Sequence, residues 1–296
     1  MTKDRAHTKD LTEHILHGSA YRLAHEDLEF LAEDDLRPVR LQLELVKPER
    51  ALRHHDIHST VVIFGSARIG SPDIAEKQLE EARQLHRRDL ASKRQLLTAE
   101  RRVHWSRYYE EARRFSELVS RQFQRAGRRD FVVVTGGGPG VMEAANRGAL
   151  DVGARSAGLN VTLPSEQRPN PFITPDLAFR FRYFAIRKMH FLIRAKALVA
   201  FPGGYGTLDE VFEVLTLVQT RKMQSLPIIL FGREFWNRAI DFDFLVDEGM
   251  IPPQDRALFC FVETAEQAVS VLKEFYGGHP PDEPMIVQGH DMKGDR

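Results

Sequence analysis

Thr207 and Glu210 stand three residues apart in the segment Pro202-Gly203-Gly204-Tyr205-Gly206-Thr207-Leu208-Asp209-Glu210. On a helix that spacing puts a hydroxyl and a carboxylate on neighbouring parts of one face. The glycines before them let backbone N–H groups approach an anion that side chains would hold off. The first amides of a helix also carry positive partial charge. Such a segment can capture a phosphate beside a carboxylate. The same two residues equally fit a capping box, a purely structural role. Arg187 and Lys188 lie upstream, on a predicted helix whose following strand leads into this loop. A guanidinium there could meet a phosphate, a ribose or Glu210.

Two further loops have similar chemistry. Gly65-Ser66 ends the run STVVIFGSA, and Gly136-Gly137-Gly138-Pro139-Gly140 follows FVVVT, with Glu143 just inside the next helix. Glu143 could add a polar contact or simply complement the helix dipole. The sequence GGGPGV fails the dinucleotide pattern GxGxxG, because position 141 is Val, and no GxxxxGK[ST] occurs. A lone glycine loop is as well explained by tight turn packing. Two on one sheet are stronger evidence for a bound phosphate. Met142 and Phe184 could line a base pocket, although residues of these types more often belong to a core.

The elements that must position these loops alternate. Strands are predicted at 59–67, 131–135, 156–163, 197–201, 226–231 and 259–262. Helices are predicted at 141–152, 181–194, 207–223, 235–248 and 264–275. This pattern implies α/β architecture, a Rossmann-like doubly wound parallel sheet covered on both faces. In such sheets ligands bind beyond the carboxyl ends of the strands, where all three loops fall.

An N-terminal helical segment is expected over 1–58. A long helical insert is expected at about 72–129 within a nucleotide-binding domain spanning 59–276. The tail at 277–296 is expected to be disordered. Asp35-Leu36-Arg37-Pro38 reads as a break, and Leu41, Leu43 and Leu45 could alternate as a strand. Residues 71–130 hold 15 Lys+Arg against 10 Asp+Glu, an excess of five. That excess is either a basic arm or, more simply, a solvated helical face or oligomer contact.

Composition narrows the function classes. The 296 residues carry 42 Lys+Arg and 42 Asp+Glu, which argues against a dedicated polyanion binder. A single cysteine, Cys260, allows no intramolecular disulfide and points to a reducing, cytoplasmic setting. The polar N-terminus lacks a signal peptide's apolar core, and no apolar run is long enough to span a bilayer. His54, His55 and His58 are dense, yet without a nearby carboxylate pair they read as surface residues rather than metal ligands.

The residues PGGYGTLDE (202–210), GGGPGVMEAANRGA (136–149), FGSAR (64–68) and the Arg187-Lys188 pair make this chain resemble the Lonely Guy (LOG) family. Members are cytokinin riboside monophosphate phosphoribohydrolases, often labelled as lysine decarboxylases. The stretches GLNVTLPSEQRPNP (158–171) and LTLVQT (215–220) resemble the bacterial long form. The resemblance implies hydrolysis of the N-glycosidic bond of a nucleoside 5′-monophosphate, AMP or an N6-modified adenine nucleotide. It places the catalytic pair on Arg187 and Glu210, phosphate binding on Gly203–Thr207, and further ligand contacts on Lys188 and Thr216. No metal or other cofactor is implied, and nothing signals a pyridoxal phosphate lysine.

The expected partner is a small-molecule nucleotide. A homo-oligomer, a dimer or larger, is expected from exposed helices at 72–129 and from the apolar helix at 211–218. Membrane and nucleic-acid partners are not expected. The competing reading is a binding protein without catalysis, such as a cofactor carrier or a single-stranded nucleic-acid binder. For the latter, Trp105, Tyr108 and Tyr109 would supply aromatic platforms within the basic arm.

Overall fold

A computed structural model describes residues 2–125, 127–162, 168–279 and 281, without the side chains of 2–6. The end of the strand expected at 156–163 and nearly all of the expected disordered tail lie outside the described residues. The chain separates into two compact units, Met1–Lys47 and Pro48–Arg296.

In the first unit α1 (Thr2–Leu16) is followed by α2 (Leu28–Ala32) and by the start of α3 (Arg37–His54). Asp27 caps α2, accepting from the N–H groups of Glu29 and Phe30 at 3.1 Å each. Arg40 donates to the Leu31 and Glu33 carbonyls at 2.6 Å. The break at Pro38 is a helix start, where a missing N–H costs nothing. Leu41, Leu43 and Leu45 are helical, so their alternation does not mark a strand.

The second unit is built on β1 (Thr60–Phe64), α4 (Pro72–Arg87), α5 (Lys93–Phe123) and a short antiparallel pair, β2 (Gln124–Arg125) and β3 (Arg128–Arg129). There follow β4 (Val132–Thr135), α6 (Val141–Asp151), β5 (Ser156–Val161), β6 (Ala178–Phe181) and α7 (Phe184–Ile193). The chain continues through β7 (Ala195–Ala200), α8 (Tyr205–Gln219), β8 (Ile228–Phe231), α9 (Arg233–Ala239) and α10 (Phe242–Asp247). It closes with β9 (Cys260–Val262) and α11 (Ala265–Phe275). Seven strands form one parallel sheet in the order β6-β5-β4-β1-β7-β8-β9.

The chain leaves β1 in one direction along the sheet and leaves β7 in the other. These two neighbours therefore flank the topological switch point, where an open α/β sheet has its crevice. Both faces are covered, which is why the strands read as continuous apolar runs. Val61 and Ile63 face α5, α6 and α11, while Val62 and Phe64 face α7 and α8.

Three expectations are corrected. Helix α5 is not an exposed addition: it is the crossover from β1 to β4, with Tyr108, Tyr109, Ala112, Phe115 and Val119 buried in the core. Their helical spacing is an inward face that the surrounding charge obscured. Gly148 of α6 presses directly on the α5 backbone at Arg113. The apolar residues of α8, Val211, Val214 and Val218, pack under the sheet of their own chain rather than offering a surface to another. The helix expected at 235–248 is two helices, because Asp241 ends one and caps α10 through Phe244 N–H at 2.9 Å. The edge strand β6 went unrecognised, and its Ala-Phe-Arg-Phe alternation with Phe179 and Phe181 inward was the available signal.

Candidate active site

The three loops at the carboxyl end of the sheet are bonded to one another. Ser66 N–H donates to the Pro202 carbonyl at 3.1 Å, and Val141 N–H donates to the Ser66 carbonyl at 3.2 Å. Gly140 has φ 74°, and a Cβ there would stand 2.5 Å from the Ser66 carbonyl oxygen. A Cβ on Gly65 would stand 2.6 Å from Val141 Cγ1. Glycine at these positions is what lets the loops meet.

A buried polar network braces the first glycine loop. Gly137 N–H donates to Thr135 Oγ1 at 2.9 Å, and that hydroxyl donates to Asn146 Oδ1 at 2.8 Å. Asn170 Nδ2 donates to the Gly138 carbonyl and to Asn146 Oδ1, both at 3.0 Å. Asn170 N–H donates to the Gly137 carbonyl at 2.9 Å. Thr135, Asn146 and Asn170 were missed from sequence. The readable signal was Asn146, an amide among the apolar Val141, Ala144, Ala145 and Ala149 of α6.

Arg187, on α7, is anchored by Nε donating to the Leu159 carbonyl at 2.7 Å. Its guanidinium lies 5.0 Å from the Phe191 ring centre and 5.3 Å from that of Phe184. A Cβ on Gly136 would come within 2.9 Å of both Arg187 Nη2 and Met142 Sδ. Gly136, Met142, Phe184 and Arg187 therefore converge. Burial lowers the Arg187 pKa, against the opposing pull of Glu210.

Helix α8 begins at Tyr205 with Gly204 as its cap and no side-chain capping bond. The capping-box reading is thereby corrected. Thr207 is third in the helix and Glu210 lies in its interior, so neither side chain caps it. Thr207 packs against Gly203. Tyr205 is 93% exposed, and the positions where Gly204 and Gly206 would carry a Cβ face open space. The N–H groups of Tyr205 and Gly206 head the helix without an intrahelical acceptor.

Glu210 is 4% exposed, and its Oε2 has no partner among the described residues. Burial pushes its pKa up to about 7, with Glu213 and Asp209 adding to the rise and Lys188 and Arg187 opposing it. A carboxylate so buried and only partly neutralised is uncommon outside functional sites.

The remaining candidates separate. Lys188 is held by Asp209 at 2.8 Å and Glu213 at 3.1 Å, so it acts on Glu210 through the field rather than by contact. Glu143 accepts from the buried Tyr109 hydroxyl at 2.9 Å. Thr216 is exposed and donates to the Phe212 carbonyl of its own helix at 2.7 Å, about 9 Å along the axis from Glu210. Tyr108 and Tyr109 are 1% and 2% exposed, so the basic arm loses two of its three aromatic platforms. Among the described residues, no three His, Cys, Asp or Glu are grouped to hold a metal ion, and no helix is long and apolar enough to cross a membrane.

Fold and site together define a doubly wound α/β protein with a glycine-lined crevice, a half-buried arginine and a buried glutamate. A family model described as "Possible lysine decarboxylase" matches residues 142–272. The chain is 30% identical over 169 residues to cytokinin riboside 5′-monophosphate phosphoribohydrolase LOG3 of Arabidopsis thaliana, covering 55% of this chain and 73% of that protein. It is 29% identical to LOG1 of the same plant, over 55% and 74% of the two chains. Among solved structures, the Moco carrier protein of Chlamydomonas reinhardtii aligns with a TM-score of 0.43 at 18% identity, over 75% of this chain and 99% of that one. The chain belongs to the LOG, or cytokinin riboside 5′-monophosphate phosphoribohydrolase, family.

Proposed function

We propose that this protein hydrolyses the N-glycosidic bond of a nucleoside 5′-monophosphate, AMP or an N6-modified adenine nucleotide, giving free base and ribose 5-phosphate. The observation that carries the reading is Glu210: a carboxylate 4% exposed, with an orphaned oxygen and a pKa raised to about 7. The half-buried Arg187 acts on it electrostatically, and before it lies a helix terminus headed by open glycines.

The phosphate docks on the first amides of α8 and the glycines at 203–207, with the Thr207 hydroxyl beside them. Binding energy gained there positions the distant glycosidic carbon. As the C1′–N bond breaks, its electron pair leaves with the base and positive charge develops on the ribose ring. Ionised Glu210 stabilises that charge and takes a proton from water as the water oxygen bonds to C1′. The departing base receives a proton in turn, so one water is consumed. Arg187 holds the Glu210 carboxylate or a ribose hydroxyl in register, and Gly136 and Met142 border the space beside it.

Phe184, Met189, Tyr205 and Phe212 are exposed on α7 and α8, which supports a homo-oligomer as part of this reading. Light scattering tests that part. The activity itself is tested by incubating purified protein with AMP and resolving the products chromatographically. Adenine and ribose 5-phosphate in equal amounts are expected, and intact AMP after prolonged incubation counts against the reading.

A further inference from the structure

Helix α5 does more than cross from β1 to β4. Thr98, Arg101, Arg102 and Trp105 follow the spacing i, i+3, i+4, i+7, which aligns them on one helix face. That face walls a cleft of about 370 Å³ whose opposite side is Ser66, Arg68 and Gly203. The volume falls in the range of small-molecule sites, roughly 300–1,000 Å³. Two of the lining residues, Ser66 and Gly203, belong to the loops assigned to nucleotide binding.

The cleft's charge is one-sided. Three guanidinium groups line it, and among the described residues no Asp or Glu does. Arg68 and Arg101 have no ion pair among the described residues, and Arg102 donates only to Gln78 Oε1 at 3.2 Å. Arginine's planar fork suits phosphate oxygens, and all three side chains are exposed to a ligand entering the cleft. Trp105 is fixed by stacking on Tyr108 and by an edge contact with Phe235, both at 5.9 Å, and gives the cleft a rigid apolar wall.

We propose that this cleft is an anion subsite for a second phosphate, the β-phosphate of a nucleoside diphosphate whose first phosphate rests on the α8 amides, with Arg101 and Arg102 as its specificity residues. The proposal rests on the preceding reading only in that the first phosphate lies on α8 and the Ser66 and Gly203 loops border the bound nucleotide. It gives the long α5 a task at the site beyond packing, and it predicts binding that weakens as salt rises.

The test is calorimetric titration of the full chain with inorganic pyrophosphate, which requires no turnover. Wild-type protein is expected to bind it, and Arg101→Ala/Arg102→Ala to bind it at least tenfold more weakly. Arg238→Ala, at an exposed position on α9, should match wild type. Titrations with AMP, ADP and adenosine then locate the second phosphate. A loss confined to ADP is expected, and an equal loss for AMP would place its only phosphate in this cleft and overturn the assignment. Adenosine should be indifferent to the double substitution. Absence of pyrophosphate binding in the wild type, or equal binding in the double variant, overturns the proposal. Failure of the hydrolase reading looks different: AMP would stay intact while arginine-dependent pyrophosphate binding persisted.

Discussion

Lys188 holds Glu213 at 3.1 Å, one helical turn beyond Glu210, and so ties α7 to α8 beside the buried carboxylate. The two residues pull on the Glu210 proton in opposite directions. Lys188 lowers the Glu210 pKa and Glu213 raises it. If Glu210 must be ionised to act, kcat/KM for AMP rises with pH through about 7, since that ratio reports the free protein. Lys188→Met is expected to move this limb to higher pH, and Glu213→Gln to lower pH. The measurement is a pH–rate profile of each variant. Displacement of both limbs in the same direction would contradict the assignment.

Glu210→Gln separates catalysis from binding. Turnover should fall on the order of 10²–10⁴-fold while nucleotide affinity, read by titration, is retained. Stability should respond as well. A carboxyl whose pKa is raised on folding favours the protonated native state, so its stability contribution is full below about 4.5 and is lost as pH rises through about 7. The Gln variant escapes that loss. Its melting temperature is expected to exceed wild type at pH 8, with a gain of at most roughly 3 kcal/mol, and the difference should shrink toward pH 4.5. A gap that instead widened on acidification would mean that burial is not what raises this pKa.

Asn170 braces the first glycine loop through Gly137, Gly138 and Asn146. In Asn170→Ala the Gly138 carbonyl and Asn146 Oδ1 each lose a donor in a buried setting. A cost on the order of 1–3 kcal/mol is expected, measured by denaturant unfolding. The slack should also reach Gly136, where Arg187 and Met142 converge, and raise KM for AMP. Unaltered stability would show that water or another group replaces the amide.

Strand periodicity and the glycine loops were legible because both are local. A buried parallel strand must be apolar throughout, and a loop that admits another backbone must be glycine, so β1, β4, β7 and the loop after each could be read directly. Residues 202–210 and Arg187 also stood out as a set. What escaped depends on distant partners. The inward face of α5 was hidden by an excess of basic residues, and only the sheet beneath it shows that Tyr108 and Phe115 are core. The roles of Thr207 and Glu210 turned on which residue caps α8. Once Gly204 does so, capping by Thr207 is excluded. Asn170 could not be placed without knowing that it folds back on 137–138.

Gly206 makes the last contrast. Gly140 is required by the fold: its φ is 74°, and a Cβ would meet the Ser66 carbonyl oxygen at 2.5 Å. Gly140→Ala is therefore expected to destabilise the protein and to part the loops. Gly206 faces open space and sits in the first turn of α8, where Ala is intrinsically better by about 1 kcal/mol. Among the described residues nothing explains a glycine there, whereas the proposed approach of a ligand phosphate to the helix amides would. Gly206→Ala should hold or raise the melting temperature while raising KM for AMP at least tenfold, because its methyl group occupies the space of the phosphate. Steady-state kinetics and thermal unfolding on the same preparation decide it. A variant that is more stable with unchanged KM would show that the phosphate does not approach α8 through this position.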